Sequence, residues 1–267
     1  MPSKKAVLGW VLVSYFLIAG GVALAAVSLA LFAVASRAAS DAVFFLGALV
    51  GGLVAGRASR HKAVAEPAVA ALLVVGTMMA IFSVGVGRSF PWSSGDGILP
   101  LPVQLGLVAG LGGLVGGLIG RRSRSGRPEG SAWRWWGVAM LVNLGATFML
   151  VSSSMVWLGG VGEDAEVGAI FLGLAVAWLL GGFCAQAIMP RRMIWVSGAG
   201  SFAIVLLAGA FSTVRGDVDA GAVIGAGFLW GVGTLIGALG ALIGWRLIAS
   251  RVAAAPATEL PEVRLHS

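Results

Sequence analysis

The ionisable side chain that lies within the apolar segments of this sequence is the carboxylate of Glu66, one residue before Pro67. Ionisable groups inside membrane segments commonly mark proton relays and ion paths, so Glu66 is a candidate buried carboxylate. The same position also suits the first turn of a helix, where the helix dipole favours a carboxylate and an early proline is tolerated. Arg57, Arg60 and Lys62 are close enough in sequence to pair with Glu66. Both interpretations remain open from the sequence.

A second group of candidates consists of uncharged polar side chains in apolar segments. Asn143 and Thr147 are four positions apart and therefore share one face of a helix. They suit hydrogen bonds between helices, each worth about 0.6–2 kcal/mol, or the lining of a polar solute site. The other polar residues in these segments are Ser14, Tyr15, Gln104, Ser152, Ser153, Ser154, Cys184 and Gln186.

Two tryptophans, Trp178 and Trp230, fall near the middle of apolar segments instead of at the membrane interface. Interfacial positions are where tryptophan is usually enriched. One interpretation is packing, in which each ring fills space beside a glycine. The alternative is an apolar pocket with the two indoles as walls. The candidate cavity lining is therefore Asn143, Thr147, Trp178 and Trp230.

The groups of residues needed for catalysis or metal binding are missing from the apolar segments. The single cysteine, Cys184, excludes a disulfide framework and a CxxC redox pair, and His61 and His266 are too few for a histidine-rich metal cluster. Nucleophile–base pairs and paired carboxylates are also missing, and the glycine runs lack the context of a nucleotide-binding motif. We therefore expect no catalytic residues, no metal site and no cofactor, and a protein that is not an enzyme.

The composition indicates a polytopic membrane protein. The 267 residues are 58% hydrophobic and 11% charged, whereas soluble domains carry about 25% charged residues. The mean hydropathy of +0.97 agrees with an all-α integral membrane protein. Eight segments are long enough to cross the bilayer, at about 7–34, 39–56, 64–87, 98–120, 135–158, 167–189, 193–214 and 219–249.

The basic residues predict the orientation of these segments. All of the 18 Lys and Arg residues except Arg37, Arg88 and Arg215 fall on one side if the N-terminus is inside. Such an excess marks the cytoplasmic loops. We therefore expect a multi-pass protein of the plasma (inner) membrane, with both termini in the cytoplasm. The net charge of +7 then reflects contacts with anionic lipid headgroups of the bilayer and indicates no nucleic-acid partner.

The chain repeats itself after about 125 positions. Segments 45–56 and 171–182 agree at six of twelve positions, and segments 105–122 and 229–246 agree at nine of eighteen. Four helices in each repeat would place both repeats in the same orientation, related by a pseudo-two-fold axis along the membrane normal. The expected organisation is a first repeat at 1–120, a basic cytoplasmic linker at 121–134, a second repeat at 135–251 and a disordered cytoplasmic tail at 252–267.

Glycines at helical spacing form the most regular pattern in the sequence. Steps of four and three residues keep small residues on one helix face, where another helix can approach closely. This pattern favours a packing or assembly subunit that binds lipids, another membrane protein or a second copy of itself through glycine-rich faces. The alternative is a transporter or pore for a small uncharged or apolar solute, with a path at the interface of the two repeats. The predicted helix-packing glycines are Gly106, Gly110, Gly113, Gly117, Gly120, Gly233, Gly237, Gly240 and Gly244.

Overall fold

The computed structural model describes residues 4–31, 37–58, 65–85, 100–122, 132–158, 163–189, 193–203, 205, 209 and 220–253. These residues contain helices and no strand, which confirms the all-α prediction for this part of the chain. The helices are α1 (Lys4–Leu31), α2 (Arg37–Ala58), α3 (Ala65–Gly85), α4 (Leu101–Arg122), α5 (Ala132–Leu158), α6 (Glu163–Ile188), α7 (Ile194–Ala199) and α8 (Ala220–Ala253).

Six of these helices, α1, α2, α4, α5, α6 and α8, are long and apolar enough to cross a membrane. The chain therefore has the character of a multi-pass membrane protein. The apolar run in α3, Ala65–Ile81, is shorter than this threshold, and α7 has only six residues. The predicted number of eight spans accordingly stays a prediction.

Charged residues mark several helix ends in the way that the helix dipole favours. Glu66 lies in the first turn of α3, while Arg57 lies in the last turn of α2, and Arg121 and Arg122 end α4. The predicted linker overlaps both neighbouring helices, because α4 continues through Arg122 and α5 already begins at Ala132. The rest of that linker and nearly all of the predicted tail lie outside the described residues.

The first four helices pack as a group, which we call the first quartet (α1–α4). Helix α1 contacts α2 and α3, and α4 contacts α2 and α3. Glycines set the closest approaches: a Cβ on Gly52 would lie 2.6 Å from the carbonyl oxygen of Gly113. At one end of α4, Gln104 Nε2 donates a hydrogen bond of 2.6 Å to Asp41 Oδ2 on α2. Backbone packing and this bond together tie α4 to α2.

The last four helices, the second quartet (α5–α8), contact each other in the same pairs. Helix α5 contacts α6 and α7, and α8 contacts α6 and α7. A Cβ on Gly182 of α6 would meet the carbonyl oxygen of Gly237 on α8. Two helices can approach this closely only where neither carries a side chain at the contact.

The two quartets meet where α1 lies against α5. A Cβ on Gly20 would meet the backbone carbonyl of Leu141, and a Cβ on Gly145 would meet that of Phe16. Ala23 and Leu144 belong to one buried cluster further along the same two helices. Each of the two glycines also lies beside the backbone nitrogen of the other, so α1 and α5 cross in close contact at Gly20 and Gly145.

Candidate functional site

The helical hydrogen-bonding pattern changes at the end of α7. The helix ends at Ala199, a turn follows at Gly200 and Ser201, and the chain is helical again at Phe202 and Ala203, while Gly200 keeps right-handed helical dihedrals (φ −59°, ψ −22°). The amide of Ser201 donates to the carbonyl of Gly198 at 3.0 Å, and the amide of Ala203 donates to that of Gly200 at 3.2 Å. Both bonds span three residues, whereas an α-helix uses four. The α-helical hydrogen bonding is therefore interrupted here.

In a continuous α-helix, the carbonyls of Ser197 and Ala199 would accept hydrogen bonds from the amides four residues ahead. Here side chains of α5 bind these two carbonyls instead. Asn143 Nδ2 donates to the carbonyl oxygen of Ser197 at 3.3 Å, and Trp136 Nε1 donates to that of Ala199 at 3.1 Å. A backbone carbonyl inside a bilayer has no water to bind, so it needs a partner within the protein. Helix α5 supplies these partners and thereby stabilises the interruption.

The side-chain amide of Asn143 has hydrogen-bond partners at its nitrogen and none among the described residues at its oxygen. Nδ2 also donates to the carbonyl of Ala139 at 2.9 Å, so two acceptors set the orientation of the amide. The side chain is 1% exposed and occupies the space that a Cβ on Gly181 would fill. Its Oδ1 atom accepts no hydrogen bond from the described residues.

Gln186 ties the end of α6 to the start of α7. Its Oε1 accepts a hydrogen bond from the amide of Met193 at 3.1 Å and lies 3.4 Å from Ser197 Oγ. The hydroxyl of Ser197 also lies 3.1 Å from the carbonyl of Met193, one turn earlier in the chain. Gln186 is 3% exposed and Ser197 is fully buried, so these polar contacts lie inside the bundle.

On the opposite side of α7, Ser201 faces α8. Its hydroxyl lies 3.4 Å from that of Thr234, and the residue is 1% exposed. The ring of Trp178 lies beside it: a Cβ on Gly233 would be 2.9 Å from Trp178 Cε2 and 3.1 Å from Ser201 Cβ. Trp178 is 3% exposed, and its Nε1 has no hydrogen-bond partner among the described residues.

These residues lie around the interruption, and we call them the polar seam; all of them are buried except Thr234, which is partly buried. It contains amide, hydroxyl and indole groups, all neutral, so its chemistry is hydrogen bonding to uncharged molecules. Within the described part of the chain, no three His, Cys, Asp or Glu residues are grouped closely enough to hold a metal ion. The polar seam consists of Asn143, Trp178, Gln186, Ser197, Ser201 and Thr234.

The structure brings together two of the four predicted cavity residues, Asn143 and Trp178, which both lie in the polar seam. Thr147 is one turn further along α5 and is only partly buried. Trp230 is 38% exposed, and its ring lies 4.9 Å from that of Phe202 in an edge-on contact. The two indoles therefore have different surroundings, one inside the bundle and one at its surface.

Glu66, the candidate buried carboxylate, lies apart from the polar seam in the first turn of α3. It is 6% exposed, and the carbonyl of the next residue, Pro67, would lie 2.8 Å from a Cβ on Gly113. Its burial agrees with either interpretation given by the sequence, a first-turn carboxylate or a functional group.

The predicted glycines of α4 differ in what they contact. Gly113, Gly117 and Gly120 lie against backbone of α2 or α3, whereas a Cβ on Gly106 or Gly110 would meet only the side chain of Leu72, at 3.6 and 3.7 Å. The sequence pattern left out Gly112 and Gly116, which lie against the carbonyls of Phe45 and Leu49. Two neighbouring faces of α4 are therefore glycine-lined.

The predicted glycines of α8 all have close neighbours within the chain. Gly233 lies beside the ring of Trp178, and a Cβ on Gly237 would be 2.9 Å from the Cα of Gly198. Gly240 lies against the carbonyl of Leu179, and Gly244 lies beside Phe183. All four face α6 or α7 and not the outer surface of the bundle.

Sequence reasoning missed Ser197, Ser201 and Thr234. A signal that could have found the first two is the run from Ser197 to Ser201, in which two glycines alternate with two serines and an alanine. Glycine and serine pairs are frequent sites of helix kinks. In a chain with 42 glycines this run did not stand out.

No known protein family, curated protein or solved structure matches this chain. The functional argument therefore depends on the side chains and contacts described above.

Proposed function

We propose that this chain carries a small uncharged solute across the membrane, and that the solute passes the polar seam in the second quartet. The observation that carries the proposal is the interruption of α7 at Gly200 and Ser201. Irregular backbone at membrane depth is tolerated where it is buried in protein or lines a polar cavity, and transporters use interrupted helices as substrate sites. The location in the inner membrane, with both termini in the cytoplasm, is part of this proposal.

The solute is uncharged because the polar seam contains no ionisable group to compensate a charge. Moving a charge into the centre of a bilayer costs several kcal/mol or more unless it is paired. Asn143, Ser201 and Thr234 offer neutral donors and acceptors instead, and these suit hydroxyl or amide groups.

The proposal includes two tandem repeats of four helices in the same orientation. It is supported by the reciprocal contact between α1 and α5: Gly20 and Gly145 are 125 positions apart, and so are Phe16 and Leu141, the residues they contact. Reciprocal contacts of this kind are characteristic of a two-fold axis. The same helix pairs also contact each other in both quartets.

The contacts between helices suggest a different alignment of α2 with α6 from the one that the sequence match gives. The sequence match pairs Gly56 with Gly182. The sequence match also pairs Gly113 with Gly237. In the structure, Gly237 is contacted by Gly182, whereas Gly113 is contacted by Gly52 and not by Gly56. Gly52 and Gly56 are one helical turn apart. We infer that α6 is displaced by one turn relative to α2, so that the repeats are not identical.

The path that we propose lies within the second quartet and not at the interface of the repeats. At that interface the backbones of α1 and α5 touch at Gly20 and Gly145, which leaves no space for a solute at this level. The position equivalent to Asn143 in the first repeat is Ile18, which is fully buried. The polar seam is therefore a feature of the second quartet.

Flux measurements in liposomes test the proposal. Liposomes with the purified full-length chain should take up glycerol or urea faster than empty liposomes. Asn143→Leu should reduce the difference, because it removes the donor that binds Ser197 and makes the seam apolar. Leu111→Ala, at a side chain that is 57% exposed on α4, is the matched control and should leave the flux unchanged. Equal flux through protein-containing and empty liposomes for both solutes would contradict the proposal.

A second candidate is an assembly subunit, and the exposed leucines of α4 favour it. Leu107, Leu111, Leu114 and Leu118 are all exposed and repeat at steps of four and three residues, a spacing that suits contact with another helix. The glycines of α4 and α8 that meet backbone face the chain's own helices, so a partner would bind the leucine face instead. Purification from native membranes in mild detergent, followed by mass analysis of the intact particle, tests this candidate. A stoichiometric partner would support it, and a monomer would contradict it.

A further inference from the structure

Two side chains of the polar seam carry buried polar atoms that no described residue satisfies. Trp178 Nε1 is a donor without an acceptor, and Asn143 Oδ1 is an acceptor without a donor. The two residues are 3% and 1% exposed. A buried polar group without a partner is destabilising, and most buried polar groups in proteins are hydrogen-bonded to protein or to ordered water.

Both side chains meet the interrupted part of α7. A Cβ on Gly200 would lie 2.7 Å from Asn143 Nδ2, which places this amide beside the turn. The ring of Trp178 and the Cβ of Ser201, the next residue of the turn, both lie within 3.1 Å of a single point, the Cβ position of Gly233. The amide nitrogen of Asn143 and the ring of Trp178 thus lie beside neighbouring residues of the same turn, while the amide oxygen of Asn143 lies against Gly181 of α6.

We propose that Trp178 Nε1 and Asn143 Oδ1 each bind a hydroxyl group. A hydroxyl can accept and donate hydrogen bonds, so it can satisfy the indole N–H at one position and the amide oxygen at the other. Water and a small alcohol share this chemistry, and either can supply the group. This inference rests on the proposed function in one respect: a hydroxyl-bearing solute that crosses the membrane would bind here on its way.

The neighbouring residues favour a ligand of this small size. The side chain of Asn143 already fills the space beside Gly181, and the ring of Trp178 fills the space beside Gly233. Ser201, beside the ring of Trp178, lies 3.4 Å from Thr234, and both carry hydroxyls that can donate to or accept from a second oxygen. The surroundings of the two unsatisfied atoms thus contain neutral hydrogen-bonding groups and no charge.

The experiment observes the indole N–H of Trp178 directly. The full-length chain is labelled with ¹⁵N at the indole nitrogen of tryptophan and placed in lipid nanodiscs. The resonance of Trp178 is the one lost in Trp178→Phe, a change that removes the N–H and keeps an aromatic ring. Trp230→Phe is the matched control, because Trp230 is an indole on the outer side of α8 and not part of the polar seam.

Water and glycerol are the two probes, and the response of the Trp178 resonance to each of them identifies the source of the hydroxyl. A bound water gives magnetisation transfer between the Trp178 N–H and water, with no response to glycerol. A bound alcohol gives a shift of this resonance that saturates as glycerol is added. In both cases the resonance of Trp230 should stay unchanged.

A Trp178 resonance that responds to neither probe would overturn the proposal, since the indole would then lie in a dry core. A rise in thermal stability on Trp178→Phe would overturn it in the same way, because removing an unsatisfied donor stabilises a dry core. Comparison with the liposome assay separates this inference from the proposed function. A responsive resonance without flux removes the transport proposal and keeps the site; flux that is insensitive to Asn143→Leu and Trp178→Phe removes the site and keeps transport.

Discussion

Gly20 of α1 and Gly145 of α5 contact each other's helix in a reciprocal way. A Cβ on Gly20 would meet the carbonyl of Leu141, and a Cβ on Gly145 would meet the carbonyl of Phe16, in each case one turn before the opposing glycine. The two contacts use equivalent residues in exchanged roles, as at the interface of a symmetric dimer. This close contact is where the two quartets are joined.

Substitution of either glycine by alanine should therefore destabilise the whole chain. Even the single methyl group of Gly145→Ala meets backbone that cannot rotate away, and overpacking of this kind costs about 1–3 kcal/mol. We expect Gly20→Ala and Gly145→Ala to lower the unfolding temperature in mild detergent by similar amounts, because the two contacts are equivalent. Unequal effects would argue against the reciprocal arrangement.

Gly137→Ala on α5 is the control for both changes. No atom lies within 4 Å of a Cβ at this position, so the added methyl meets nothing. Alanine also favours a helix over glycine by about 0.5–1 kcal/mol in soluble proteins. We expect an unfolding temperature equal to that of the wild type or higher.

The support that α5 gives to the interrupted α7 leads to a second prediction. Trp136→Phe removes the donor that binds the carbonyl of Ala199 at 3.1 Å and leaves this carbonyl without that hydrogen bond. An unsatisfied buried carbonyl costs about 1–3 kcal/mol, and we expect the free energy of unfolding to fall by this amount. Trp133→Phe is the comparison, since Trp133 is 73% exposed. Equal stabilities of the two variants would mean that the bond to Ala199 contributes nothing.

The membrane helices were predictable from the sequence because the property that defines them is local. Twenty or so consecutive apolar residues cross a bilayer whatever surrounds them. Asn143 was also predictable, since a lone carboxamide in an apolar helix needs a partner. Its partner, the carbonyl of Ser197, was not predictable, because it depends on the interruption of α7 and on how α5 lies against it.

The register of the helices is the part that the sequence left ambiguous. Glycines recur every three or four residues in α2 and α6, so a shift of one turn replaces glycine by glycine at the contact with α4 or α8. The sequence match therefore aligned Gly182 with Gly56, although its contact with Gly237 corresponds to that of Gly52 with Gly113. A repetitive glycine pattern indicates which face of a helix packs against its neighbour. It does not determine the position along the helix axis at which the two helices make contact.

The position of the glycines on α8 distinguishes internal packing from assembly. A Cβ on Gly237 would lie 2.9 Å from the Cα of Gly198, whereas no atom lies within 4 Å of a Cβ on Gly231. Gly237→Leu should prevent stable folding, because the leucine has no space. Gly231→Leu should be tolerated by a monomer and should weaken association only if this face binds another chain. Stability of the purified variants and the mass of the particle measure the two effects separately.

A topology measurement tests the orientation that the basic residues predict. A reporter that is active only in the cytoplasm, fused after Arg127, should be active, because the basic linker lies inside in the predicted topology. The same reporter fused after Gly160, between α5 and α6, should be inactive. The opposite pattern would invert the chain in the membrane while leaving the contacts between helices unchanged.

The single cysteine provides a direct measure of how tightly the second quartet is packed. Cys184 on α6 is fully buried in the cluster that includes Leu17 and Val142, between α1 and α5. The reagent must reach the thiol in order to react with it. A membrane-permeant maleimide should therefore label Cys184 only when α6 separates from these helices. We expect no labelling of the folded chain in mild detergent and complete labelling in denaturant. Gly145→Ala should speed the labelling, because it loosens the contact between α1 and α5 beside this cysteine. Rapid labelling of the native wild type would show that α6 separates readily from α1 and α5, and would contradict the tight packing of this cluster.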